Sequence, residues 1–137
     1  MKWNTVRFVA VELRGSPLAR ILLVEDEAEL RDLWQEFLAG FGHDVLVASS
    51  VNEAIQAVDG LEGTLDLVLI DWTLPDGRGN SVVDHARKHA PAAHLVITSG
   101  MGPRLPSNHG ADGVLGKPFK IRDLLRVVGI ATGAQSA

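Results

Sequence analysis

Leu65-Asp66-Leu67-Val68-Leu69-Ile70-Asp71 is an apolar run that ends on a carboxylate. A strand covered on both faces must be apolar nearly throughout, so Leu65–Ile70 reads as the third and central strand of a parallel sheet. Three other runs close in the same way. Ile21-Leu22-Leu23-Val24 leads into Glu25-Asp26, Leu95-Val96-Ile97 into Thr98, and Val114-Leu115-Gly116 into Lys117-Pro118. As neighbouring parallel strands, these segments bring their carboxyl ends to one edge of the sheet, where open α/β folds place their sites. Packing alone does not account for four strand ends that each carry a group able to handle a metal or a phosphate.

Between these runs the period changes from two to 3.6. Arg20–Val24 is the first strand, and Leu30, Leu33, Trp34, Phe37, Leu38 and Phe41 then fall on one helical stripe that stops near Gly40–Gly42. Asp44–Ala48 reads as the second strand, and Ser49 or Ser50 caps a helix with Val51, Ala54, Ile55 and Val58 inward. Pro75-Asp76-Gly77 is a turn, followed by a helix over about Ser81–Lys88. His94–Thr98 is the fourth strand and Gly113–Gly116 a brief fifth. The two prolines and two glycines of Gly100–Pro106 predict that the fourth helix, between those strands, is shortened or irregular. Ile121, Leu124, Leu125 and Val128 give a last helix ending near Gly129. The alternation predicts an α/β, doubly wound, five-stranded parallel sheet with right-handed crossovers. Residues 1–18 read as an N-terminal extension, 19–130 as the domain and 131–137 as a frayed tail. Within the extension, Thr5–Leu13 alternates weakly, as an extra strand or a mobile leader would.

The chain's 137 residues, 46% apolar and 22% charged, suffice for one globular core. Cysteine is absent, which excludes disulfides and thiolate metal sites. A net charge of −4 without a basic cluster argues against direct nucleic-acid binding. The apolar runs are too short to span a bilayer. Arg7, Glu12 and Arg14 interrupt any signal-peptide core, so a cytoplasmic location without membrane attachment is expected. The five histidines, at 43, 85, 89, 94 and 109, show no ligand-like grouping with carboxylates; His85 and His89, four apart on a predicted helix, have a spacing open to metal binding, but ordinary surface histidines are expected.

Taken together and in order, Leu-Val-Glu-Asp-Glu at 23–27, Leu-Ile-Asp-Trp-Thr-Leu-Pro-Asp-Gly at 69–77, Ile-Thr-Ser-Gly at 97–100 and Gly-Lys-Pro-Phe at 116–119 resemble the response-regulator receiver domain of two-component signalling. The resemblance runs from about Arg20 to Val128. It implies the flavodoxin-like strand order 2-1-3-4-5 and a phosphoacceptor role for Asp71. It also implies Mg2+ held by Asp26, Asp71 and the backbone carbonyl of Thr73, with Glu25 acting through water where the family often has Asp. Thr98 and Lys117 would contact phosphoryl oxygens, and the Lys117-Pro118 bond would be cis. Implied partners are a histidine kinase or a histidine phosphotransfer protein and an unknown downstream protein target, with the receiver a monomer or weak dimer. Two departures bear on readout: Val114 stands where receivers commonly carry an aromatic ring, and the fourth helix is altered.

The chemistry is coherent without the resemblance. A carboxylate attacking phosphorus meets like charge, so a divalent cation is needed, and Mg2+ favours one or two carboxylates plus a phosphoryl oxygen. Asp71 then acts as nucleophile, and most of the catalysis is positioning and charge neutralisation. Each residue has an ordinary competitor: Asp26 as a helix cap, Glu25 and Glu27 as charges at a helix start, Thr98 as a strand end, Lys117 as a solvated charge. The set favours the phosphoacceptor. Among rival classes, dehalogenase-like phosphatases need a second Asp two residues after the nucleophile, where this chain has Thr73. Nucleotide or flavin binders need a phosphate cradle after the first strand, where Glu25-Asp26-Glu27 would repel the ligand. The closest alternative is a degenerate receiver that docks partners without phosphorylation. Turnover of external substrates is not expected; the chemistry would be self-catalysed phosphoryl transfer and autodephosphorylation. With 18 residues after Phe119, the expectation is a stand-alone receiver or one cut from a larger regulator or hybrid kinase.

Overall fold

The computed structural model describes residues 19–61 and 63–133; the expected N-terminal extension, its Thr5–Leu13 segment and positions 134–137 of the tail lie outside them. The order is β1 (Arg20–Val24), α1 (Ala28–Gly40), β2 (Asp44–Ala48), α2 (Val51–Leu61), β3 (Leu67–Asp71), α3 (Gly79–His89), β4 (His94–Ser99), β5 (Gly113–Gly116) and α4 (Ile121–Thr132). The five strands are parallel throughout, in the order β2-β1-β3-β4-β5. A two-residue antiparallel ladder, Thr73–Leu74 against Gly77–Arg78, closes the Pro75-Asp76-Gly77 turn.

The pleat sorts the core into two layers. Leu22, Val24, Val68, Ile70, Leu95 and Ile97 point to one face, beneath Val51, Ala54 and Val58 of α2 and Val82, Val83 and Ala86 of α3. Ile21, Leu23, Leu67, Leu69, Val96 and Leu115 point to the other, beneath Leu38 of α1 and Leu124, Val127 and Val128 of α4. All five residues of β3 are buried, which is what makes its sequence continuous in hydrophobicity rather than alternating. Each large apolar side chain so buried contributes about 1.5–3 kcal/mol.

The structure departs from the sequence expectation in several places. β3 begins at Leu67 rather than Leu65, because the Asp66 carboxylate accepts the Arg20 N–H at 2.8 Å. The helix expected at Ser81–Lys88 extends over Gly79–His89. α4 runs past Gly129 to Thr132 and ends at Gly133, whose φ of 71° supplies the left-handed stop, so part of the expected tail is helical. The stripe of α1 is only partly covered: Leu38 is buried, but Leu33 is 58% and Phe41 52% exposed. α1 packs against β1 and β2 at the sheet's flank, where an apolar arc of that width exceeds the surface available. The expected disruption between β4 and β5 is a single 3-10 turn, Gly102–Arg104. Ser50 is the cap residue of α2, its hydroxyl accepting the Glu53 N–H at 3.1 Å.

Candidate functional site

Register places the polar strand ends side by side. Val24 pairs with Ile70, Asp71 with Thr98, and Ser99 with Gly116, so Glu25, Asp71, Thr98 and Lys117 all emerge at the carboxyl edge. Backbone bonds continue the ladder beyond the strands. Glu25 N–H donates to the Ala48 carbonyl at 3.0 Å, Trp72 N–H to Thr98 at 3.0 Å, and Lys117 N–H to Ser99 at 2.7 Å. These bonds hold the bases of the side chains in fixed positions while the tips converge.

Asp71, Thr98 and Glu25 are buried at 7%, 5% and 4% exposure, while Asp26 is exposed at the rim. One carboxylate oxygen from each of Glu25, Asp26 and Asp71 lies within 4.8 Å of the others. Lys117 Nζ donates to Glu25 Oε1 at 2.7 Å and to Asp71 Oδ2 at 3.2 Å. Thr73 is exposed, and its N–H donates to Asp71 Oδ1 at 3.2 Å. The Lys117-Pro118 peptide bond is cis. Glu25 reaches Lys117 directly, with its other oxygen accepting the Glu27 N–H at 3.1 Å.

The three charges do not balance evenly. Burial raises Asp71, and the nearby negative charge of Glu25 raises it further; Lys117 and the Thr73 N–H only partly offset this, leaving Asp71 at about 6 against an ordinary 3.8. Burial also pushes Glu25 up, but the Lys117 hydrogen bond, the Glu27 N–H and the Lys117 charge together hold it below the usual carboxylate range. Burial lowers Lys117, and its two carboxylate partners more than reverse this, so it stays charged. Two carboxylates share one ammonium, and the more strained one is Asp71. Three carboxylates within reach of one another make an all-oxygen donor set, the hard-cation chemistry that suits Mg2+.

The response regulator receiver domain family matches residues 21–129. The chain belongs to this family. The receiver is 34% identical over 109 residues to the transcriptional regulatory protein CpxR of Escherichia coli K12, covering 77% of this chain and 46% of CpxR. It is 33% identical to the sensor kinase CckA of Brucella abortus, over 87% of this chain and 13% of that kinase. The chain thus spans less than half the length of either relative. Among solved structures, a CheY-like receiver domain protein from Methanospirillum hungatei superposes with a TM-score of 0.78 at 28% identity, covering 86% of this chain and 96% of that one. The strand order is that of the doubly wound, flavodoxin-like class.

Two residues of the receiver support the site without having been singled out for it. A Cβ on Gly79 would stand 2.7 Å from the Asp71 carbonyl oxygen and 3.2 Å from Trp72 Cα, while Gly79 N–H donates to the Trp72 carbonyl at 2.8 Å. Asp76, expected only as a turn former, accepts the N–H groups of Val51 at 2.7 Å and Asn52 at 2.9 Å, so it caps α2 across 25 positions of chain. Neither has a local signature beyond Gly or Asp near a turn. The histidine expectation needs correction: His85 does meet a carboxylate, Asp59 of α2, at 2.7 Å. Trp34, expected in the core stripe, is only partly buried; it stacks on Phe119 at 4.8 Å, with its indole N–H buried and without a hydrogen-bond partner among the described residues. Among the described residues, no helix is long and apolar enough to cross a membrane.

Proposed function

We propose that residues 19–130 act as a phosphoacceptor receiver. A histidine kinase or histidine phosphotransfer protein donates the phosphoryl group, and Asp71 accepts it. What carries this reading is the convergence of Asp71 with Glu25, Asp26 and Lys117 at one strand edge, in a chain of the receiver family. An Asp71 carboxylate oxygen attacks phosphorus and the P–N bond to the donor imidazole breaks, its electron pair staying on that nitrogen. With the donor's other ring nitrogen already protonated, the products are an aspartyl phosphate and a neutral histidine. Glu25, Asp26, Asp71 and the Thr73 carbonyl would hold Mg2+, which would supply charge neutralisation between nucleophile and phosphoryl group.

Lys117 has the other half of that task. Its ammonium leaves one carboxylate to meet a phosphoryl oxygen, while Thr98, paired beside Asp71 in register, offers a hydroxyl to another. Phosphorylation thereby rewards one placement of Thr98 and Lys117 over another, and the two-state bias passes to the adjoining β5 and the Gly100–Pro106 segment. Because Val114 replaces the usual ring and only a 3-10 turn follows β4, output relies on backbone and packing shifts rather than an aromatic swing. The receiver works in the cytoplasm, as a monomer or weak dimer. It acts on a downstream protein rather than on nucleic acid and turns over no external substrate.

The test is intact mass after treatment with a small phosphoramidate and Mg2+. One added phosphoryl group is expected, absent in Asp71→Asn and sharply reduced in Asp26→Asn. An unmodified wild-type protein under conditions that label another receiver would leave only the docking-module alternative.

A further inference from the structure

Helices of this fold run back against their strands, so the ends of α2 and α3 lie toward the amino edge of the sheet, away from Asp71. A second group of ligand atoms forms there. His85 and His89, four residues apart on α3, present their rings on one face, with centroids 4.3 Å apart at 34°. Asp59 reaches across from α2 and sets its Oδ1 at 2.7 Å from His85 Nε2. One ligand atom from each of the three lies within 4.8 Å of the others.

The platform beneath is firm. Val58, adjacent to Asp59, and Ala86, adjacent to His85, are both 0% exposed in the shared core layer, so the two helices cannot separate without opening that core. Two imidazoles and one carboxylate form a donor set for a four-coordinate zinc-class ion with water in the remaining position. Imidazole disfavours Mg2+ and Ca2+ here. Zn–N and Zn–O bonds near 2.1 Å set tetrahedral ligand atoms about 3.4 Å apart. The His85–Asp59 spacing of 2.7 Å must open slightly and the other pairs, all within 4.8 Å, must settle on that value, an adjustment of side-chain rotamers. Lys88 lines the same hollow with His89 and Asp59; its long stem lets the ammonium turn outward. The spacing His85-Ala86-Arg87-Lys88-His89 matches helix-borne zinc pairs, but Ala86 stands where hydrolytic versions carry a general-base Glu. The chemistry is therefore that of a clasp.

We propose that Asp59, His85 and His89 bind a divalent transition-metal ion, Zn2+ in type, that ties α2 to α3. The proposal stands apart from phosphorylation at Asp71. Its test is calorimetric titration of the whole chain with ZnCl2, with excess Mg2+ present to occupy the acidic pocket, alongside Co2+ absorption spectra. The expected result is one Zn2+ per chain in the micromolar range or tighter and a tetrahedral Co2+ band. His85→Ala and His89→Gln should each weaken binding by at least about tenfold, the floor set by losing even an outer-shell partner. The thermal midpoint should rise with Zn2+ in the parent and not in His89→Gln, whose exposed position leaves folding intact. Binding weaker than millimolar, or binding that both histidine variants leave unchanged, would overturn the assignment.

Discussion

Replacing Asp71 by Asn should make the receiver more stable, not less, when divalent cations are removed at neutral pH. Burial and the charge of Glu25 raise the Asp71 carboxyl from 3.8 to about 6. At about 1.4 kcal/mol per pH unit, the ionised form therefore costs the fold at most about 3 kcal/mol relative to the neutral one. Asn has the shape of the neutral form, so most of that cost disappears. Relaxation around the amide reduces the gain to about 2 kcal/mol, or roughly 5–10 °C in Tm for a chain of this size. The sign with pH is fixed. Folded Asp71 takes up its proton near pH 6, whereas the unfolded chain waits until near 3.8. The wild type therefore gains stability relative to the variant as pH falls through about 6, and the difference closes near pH 4. Thermal denaturation of both proteins in chelator, from neutral pH to about pH 4, measures this directly. A less stable Asn variant, or a difference independent of pH, would refute the charge-strain argument.

Three further outcomes follow from the same geometry. Gly79→Ala forces a methyl against the Asp71 carbonyl oxygen at 2.7 Å; denaturant titration should show a loss of about 1–3 kcal/mol, and phosphorylation should slow because the nucleophile's strand end must shift. Lys117→Ala leaves Glu25 and Asp71 facing each other without their ammonium; stability at neutral pH should fall by about 2 kcal/mol, below the cost of breaking a fully buried pair, and the loss should shrink in acid as Asp71 protonates. Asp76→Ala removes the cap on Val51 and Asn52. Those two N–H bonds hold the Asp76 carboxyl below its ordinary value, so its contribution is present above about pH 4 and lost as pH falls through the depressed value. Melting curves should therefore show a lower Tm for the variant at neutral pH and convergence in strong acid.

Much of this was legible because the deciding patterns are local. Leu67–Asp71 announces a central strand through unbroken hydrophobicity, and four strand ends with matched polar residues announce the edge they share. The helical stripe of α4 and the disruption at Gly100–Pro106 are equally short-range. What escaped depends on tertiary contact. The Asp76 cap on α2 spans 25 positions, the Asp59–His85 pair 26, and the Lys117–Glu25 bridge 92; no spacing rule reaches so far. The exposure of Leu33 and Phe41 was hidden for a different reason: periodicity reports an apolar arc but not how much sheet lies beneath it. Gly79 was silent because closeness to Asp71 is a property of the folded backbone.

The central claim is that the phosphoryl group rests on the Asp71 carboxylate. Borohydride reduction after phosphodonor and Mg2+ treatment, followed by peptide mapping, tests it most directly. An acyl phosphate at this position is reduced to homoserine, so homoserine is expected at position 71 alone, with Glu25 and Asp26 unchanged. Trapping at another carboxylate, or a stable phosphoryl group on a histidine, would contradict it.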